Sequence, residues 1–146
     1  MRVMMMIKGD REPGHLPSQE LLIQMGKYNE ELSKAGVLLD LSALHWSADG
    51  VRIAYSGGER TVTRGPFGAA NEIVAGYWML EVKSMDEAID WAKRLPFEAG
   101  GEPEAVGEME IRQVFEMDDF GESPAIERTH ERDRESQVAR GKVVPS

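Results

Sequence analysis

The chain has 146 residues, with 26 acidic against 17 basic side chains, a net charge of −9 and no cysteine. That length fits one domain with a real core and is too short for a cofactor domain joined to a substrate domain. The charge would be repelled by nucleic acid and by anionic membrane surfaces, and the missing thiol excludes a disulfide framework, a thiol nucleophile and a thiolate metal site.

The N-terminal run Met4, Met5, Met6, Ile7 meets Lys8, Gly9 and Asp10 at once. It is neither a secretory signal nor a membrane span, so a soluble cytoplasmic protein is expected. Residues 2–8 carry Val3, Met5 and Ile7 on one face and Met4 and Met6 on the other, the pattern of a strand covered on both sides. Ser18 caps a predicted helix whose apolar positions Leu21, Leu22, Met25, Tyr28 and Leu32 recur at helical spacing until Gly36. A second strand is predicted over residues 37–46, with Leu39, Leu41 and Ala43 facing one way and Leu38, Asp40, Ser42 and Leu44 the other.

Residues 51–55 and 60–63 flank Ser56, Gly57, Gly58 and Glu59, which is hairpin chemistry and reads as an insertion. The longest strand is predicted over residues 73–83, followed by a helix that Ser84 and Glu87 open as a capping box and Pro96 ends. A last strand alternates over residues 109–116. The order is strand, helix, strand, hairpin, strand, helix, strand. Two such βαβ halves with right-handed crossovers make an α+β, ferredoxin-like fold, with both helices on one face of an antiparallel sheet. The first strand and the 73–83 strand, with Tyr77 and Met79 opposite Trp78, Leu80 and Val82, are apolar on both faces, so a second copy is expected to cover the helix-free side. After about residue 120 the composition turns to charge without an apolar stripe, and a tail over 121–146, helical or disordered, is expected.

The run from Val62 to Val82 holds the most specific motif: Gly65, Pro66 and Phe67 form a turn beside the long aromatic strand. It resembles the DGPF branch of the YCII-related family, whose signature reads Asp-Gly-Pro-Phe-Ala-Glu-Thr-Lys-Glu. Gly65, Pro66, Phe67 and Glu72 match, while Arg64 replaces the Asp, Ala69 the Glu and Asn71 the Lys. The resemblance covers residues 1–120 and implies a dimeric α+β barrel. It also implies a His and Asp pair suspected in some members of acid–base or dehydrochlorinase-like chemistry, and in other members an association with sigma-factor-like regulators.

Among the residues themselves, His45 at the end of a strand is the best candidate for proton transfer near neutral pH. Asp40 and Asp10 are its candidate carboxylate partners, although Asp40 lies five residues before His45 and would need a bulge to share its face. Asp10 also reads as a turn-former, and His45 as an ordinary hydrogen-bonded histidine. Arg64 and Arg112 are candidate anchors for an anionic group, with surface ion pairs as the plainer alternative, and Arg64 is expected to make the signature loop a cationic pocket edge. Trp46, Phe67, Tyr77 and Trp78, with Gly65 and Pro66, are candidate pocket walls, against the alternative of core or interface aromatics. His15 and His130 have no local partners that would make a metal site, and the Gly57–Gly58 turn precedes no helix that could hold a phosphate, so no metal and no cofactor is expected. Two readings compete: a small-molecule-binding homodimer using acid–base chemistry at His45, and a non-enzymatic accessory or regulatory module that binds another protein.

Overall fold

The computed structural model describes residues 1–97, 106–121 and 124–141. They form two compact units, Met1–Val114 and Phe115–Ser146. In the first unit the strands β1 (Arg2–Lys8), β2 (Leu38–Ala43), β5 (Val74–Glu81) and β6 (Glu108–Gln113) make one antiparallel sheet in the order β2-β5-β1-β6. The helices α1 (Gln19–Lys34) and α2 (Met85–Lys93) complete a β-α-β, β-α-β order, and the hairpin strands β3 (Val51–Ser56) and β4 (Glu59–Arg64) lie between the halves as a separate two-stranded sheet.

Local chemistry sets these boundaries. The Ser18 hydroxyl accepts from Leu21 N–H at 3.1 Å and opens α1. The helix closes with Gly36 N–H donating to the Ser33 carbonyl and Val37 N–H to that of Leu32, which satisfies two orphan acceptors and turns the chain into β2. Ser84 opens α2 by accepting from Glu87 N–H at 3.2 Å, and the Glu87 carboxylate accepts from Lys83 N–H, one residue earlier than a reciprocal box requires.

Both helices cover the face that carries Val3, Met5, Trp78 and Leu80. With Tyr28, Leu32, Val37, Val82 and Ala88 these make the core, in which Val3, Met5, Leu32 and Leu80 are wholly buried. Each such side chain contributes about 1.5–3 kcal/mol of hydrophobic stabilisation. Tyr28 ties the layers together: its ring meets Trp78 edge-on at 6.1 Å and its hydroxyl donates to the Trp91 carbonyl at 2.8 Å. Burial pushes that phenol up to about 12. The opposite face carries Met4, Met6, Tyr77 and Met79, all half-buried.

β2 departs from the predicted alternation. A register shift between Leu38 and Asp40 places Leu38 opposite Leu80 and Leu41 opposite Trp78, on the helix face, whereas Asp40 and Ser42 stand opposite Met79 and Tyr77. The strand also ends at Ala43, and Ser47–Asp49 form a short 3-10 turn. β6 ends at Gln113, earlier than its alternation suggests.

In the second unit the rings of Phe115 and Phe120 lie 5.1 Å apart, and Glu116 and Asp119 cap a 3-10 turn at Met117–Phe120 reciprocally. The charged segment forms α3 (Pro124–Ala139), with Pro124 at its first position, where the missing N–H costs nothing. His130 approaches Asp118 at 3.9 Å.

Candidate functional site

Three chain segments meet at Ser47, which is buried. Asp10 follows β1, Ser47 opens the turn after β2, and Phe67 belongs to the Gly-Pro-Phe loop after β4. One Asp10 carboxylate oxygen accepts from Ser47 N–H at 2.9 Å and the other from the Ser47 hydroxyl, while that hydroxyl's oxygen accepts from Phe67 N–H at 3.3 Å. These donors stabilise the carboxylate and hold the Asp10 pKa below the usual carboxylate value, the hydroxyl contributing most.

The same turn fixes the loop from its other side. Gly65 N–H donates to the Gly50 carbonyl at 2.9 Å, and the Gly65–Pro66 peptide is cis. A Cβ on Gly65 would lie 1.7 Å from the Ser47 carbonyl oxygen, so no other residue fits there without moving backbone. Gly50 is packed similarly, with the Phe67 ring 3.2 Å from where its Cβ would be.

Phe67 forms one wall of an open groove of about 460 Å³, lined by Arg52, Ile53, Ala54, Thr63 and Pro66 as well. The Arg52 guanidinium lies over the Phe67 ring, 4.2 Å from its centroid. No carboxylate among the described residues pairs with Arg52, although the chain carries an excess of acids. Among those residues no three His, Cys, Asp or Glu side chains come together as a metal site.

The structure thus gathers Asp10, Gly65, Pro66 and Phe67 around Ser47, and sets the other sequence candidates in separate contacts. His45 is 79% exposed at its side chain; its Nδ1 lies 3.0 Å from the Asp49 carboxylate, and its ring meets Trp46 edge-on at 5.0 Å. Trp46 in turn donates its indole N–H to the His15 carbonyl at 3.3 Å. Asp40 accepts from the Tyr77 hydroxyl at 3.1 Å on the open sheet face. The bulge in β2 precedes Asp40, so it does not bring Asp40 toward His45, and the carboxylate beside the imidazole is Asp49. Arg112 lies 3.5 Å from Glu110, which Lys8 also reaches. Arg64 stands opposite Val51, on the other face of the hairpin from Arg52 and Thr63, and does not line the groove.

Sequence reasoning missed Ser47, Asp49 and Arg52. Asp49 had a local signal, since it lies four residues after His45. Ser47 had none, because its partner Asp10 is 37 residues away. Arg52 became visible only when strand register put it on the same hairpin face as Thr63, turned toward Phe67.

The sequence profile of the YCII-related domain matches residues 1–118. The chain belongs to the YCII-related family. No curated protein matches it in sequence. Among solved structures it is similar to 5-chloro-2-hydroxyhydroquinone dehydrochlorinase from Burkholderia phenoliruptrix, in complex with 2,5-dihydroxybenzoquinone. The identity is 15%, the match covers 79% of this chain and 94% of that one, and the TM-score is 0.34. Within this YCII-related protein no described helix is long and apolar enough to cross a membrane.

Proposed function

We propose that this YCII-related protein is a small-molecule-binding homodimer of the dimeric α+β-barrel type, holding its ligand beside the Gly-Pro-Phe loop. The observation that carries this reading is the Ser47 clamp. Asp10 and Ser47 through partly buried hydrogen bonds, and Gly65 as a sterically exclusive glycine, fix one surface loop, and that loop walls a groove. Asp10 acts in it as a positioning residue, because both of its oxygens are engaged by Ser47.

The strand order β2-β5-β1-β6 with two helices on one face supports a ferredoxin-like assignment. The half-buried Met4, Met6, Tyr77 and Met79 on the other face supply the apolar surface a second copy would cover. Acid–base chemistry, if the ligand is turned over, falls to His45, with the Asp49 carboxylate orienting its ring, and Asp40 and Arg112 are polar groups of the open face that a second copy would enclose. A metabolite-library thermal-shift screen, run beside light scattering at micromolar concentration, tests the reading. A dimer whose melting point rises with particular small molecules is expected, and a monomer that no small molecule stabilises overturns it.

One observation favours the second reading, a non-enzymatic module that binds another protein. The hairpin face that carries Val51, Tyr55 and Val62 exposes them together with Ile53, which also lines the groove, and Arg60 and Arg64 flank this apolar patch. Light scattering separates the two: a monomer that retains this patch and binds no metabolite fits the module.

A further inference from the structure

We propose that Arg52, whose guanidinium lies over the Phe67 ring, is the anchor for a small monocarboxylate with a planar apolar body; this rests on the groove being the ligand site. Arg52 and Thr63 are cross-strand neighbours on one hairpin face, so a guanidinium and a hydroxyl stand side by side at the polar end of the groove. The guanidinium lies over the Phe67 ring and no carboxylate among the described residues pairs with it, so its N–H fork can receive a carboxylate in two parallel hydrogen bonds. The remaining walls, Ile53, Ala54, Pro66 and Phe67, offer apolar contact and no further charge.

Charge decides between anions. A phosphate dianion needs more donors than one arginine and one threonine supply, and it must approach a chain of net charge −9. A monocarboxylate matches the donors present and is repelled less. The hairpin also carries an internal control. Arg60 stacks on Tyr55 at 4.7 Å on the opposite face, the same pair chemistry without the groove.

The test follows backbone amide shifts of the full chain during titration with benzoate and with its neutral counterpart benzamide, each to about 20 mM. Benzoate is expected to shift the amides of Arg52, Thr63 and Phe67 saturably and more tightly than benzamide. Arg52→Gln is expected to weaken benzoate about tenfold, as loss of a charge-assisted pair does. Arg52→Lys should recover part of that loss, Thr63→Val should weaken binding less, and Arg60→Gln should change nothing. Equal binding of benzoate and benzamide at Pro66 and Phe67 overturns the carboxylate anchor while leaving the groove as a ligand site. Unchanged benzoate affinity in Arg52→Gln, with the spectrum showing an intact fold, overturns it as well. If neither probe moves any amide in the groove, the anchor and the groove reading fall together.

Discussion

The four-stranded sheet and the β3–β4 hairpin are both antiparallel, yet they are stabilised in opposite ways. In β5 buried and half-buried residues alternate nearly to the end of the strand, whereas every residue of β3 and β4 is exposed. The sheet is specified by its core: a one-residue slip would turn Trp78 and Leu80 away from the helices. The hairpin has no core to specify it. Its register is set by the two-residue turn at Gly57 and Gly58, whose φ values of 54° and 88° a primed turn requires. An isolated two-stranded hairpin is marginal in water, so its attachment through Gly50, Gly65 and the Arg52–Phe67 stack matters to its persistence. The contrast separates a part that resists substitution from a part whose surface is free to take on a ligand or partner.

Paired truncations give the largest expected effect. Leu80→Ala removes a wholly buried side chain from between the helices and the sheet, and chemical denaturation is expected to show a loss of about 3–4 kcal/mol. Ile53→Ala, at a site 48% exposed, is expected to cost under about 0.5 kcal/mol in dilute solution. A loss at Ile53 that approaches the Leu80 value would mean that the hairpin face is buried in the native assembly, and it would then grow with protein concentration.

The same contrast explains what the sequence made legible. Elements with a core-facing period, such as Leu21 to Leu32 in α1 or the 73–83 run, were readable because burial imposes the period. The hairpin was readable from the strand-like runs 51–55 and 60–63 on either side of Ser56, Gly57, Gly58 and Glu59. In β2 the expected pairing of Leu41 with Ala43 and of Asp40 with Ser42 holds, whereas a bulge at the start of the strand puts Leu38 on the side of Leu41, and an alternating run of Leu, Asp and Ser carries no mark of it. The family motif pointed to the loop that walls the groove. It did not show how that loop is held, since Asp10, Ser47 and Phe67 are distant in sequence, nor that Arg52 rather than Arg64 faces the groove, which depends on strand register.

Gly65→Ala sharpens the comparison at the junction between the two parts. The new methyl would meet the Ser47 carbonyl, so the loop or the turn must move, at an expected cost of about 1–3 kcal/mol. Amide shifts should change around Ser47, Gly50 and Phe67, while those of Val3, Met5 and Leu80 stay in place. If the core amides move equally, the loop is no separate adjustable part.

Tyr28→Phe probes the core side more gently. Losing the hydroxyl leaves the Trp91 carbonyl without that donor, and about 1 kcal/mol of stability should go with it. The phenol's pKa is raised by burial to about 12 from an ordinary value of 10, so its neutral form is favoured by folding. That contribution is complete below pH 10 and is lost as pH climbs from 10 through 12. Melting curves of the wild type should fall more steeply over this window than those of Tyr28→Phe, and parallel curves would show that the hydroxyl is not held as described.

The smallest expected effect is the most informative about the loop. Asp10 is stabilised as a carboxylate by the Ser47 hydroxyl and N–H, so its folded pKa lies below its unfolded value of 3.8. A group shifted in that direction contributes stability above its unfolded pKa and loses it as pH falls through the folded one, so the contribution should disappear on acidification below about pH 4. Asp10→Asn keeps the shape and an acceptor for Ser47 N–H but cannot titrate. Its melting temperature should therefore fall less steeply than the wild type's between pH 5 and about pH 2. The two proteins should differ little in the slope above pH 5, where Asp10 is ionised in both folded and unfolded chains. The amides of Ser47 and Phe67 should show a titration in the wild type that is absent in Asp10→Asn. If those amides titrate equally in both proteins, the carboxylate is not what holds Ser47, and the loop is fixed by Gly65 and Gly50 alone.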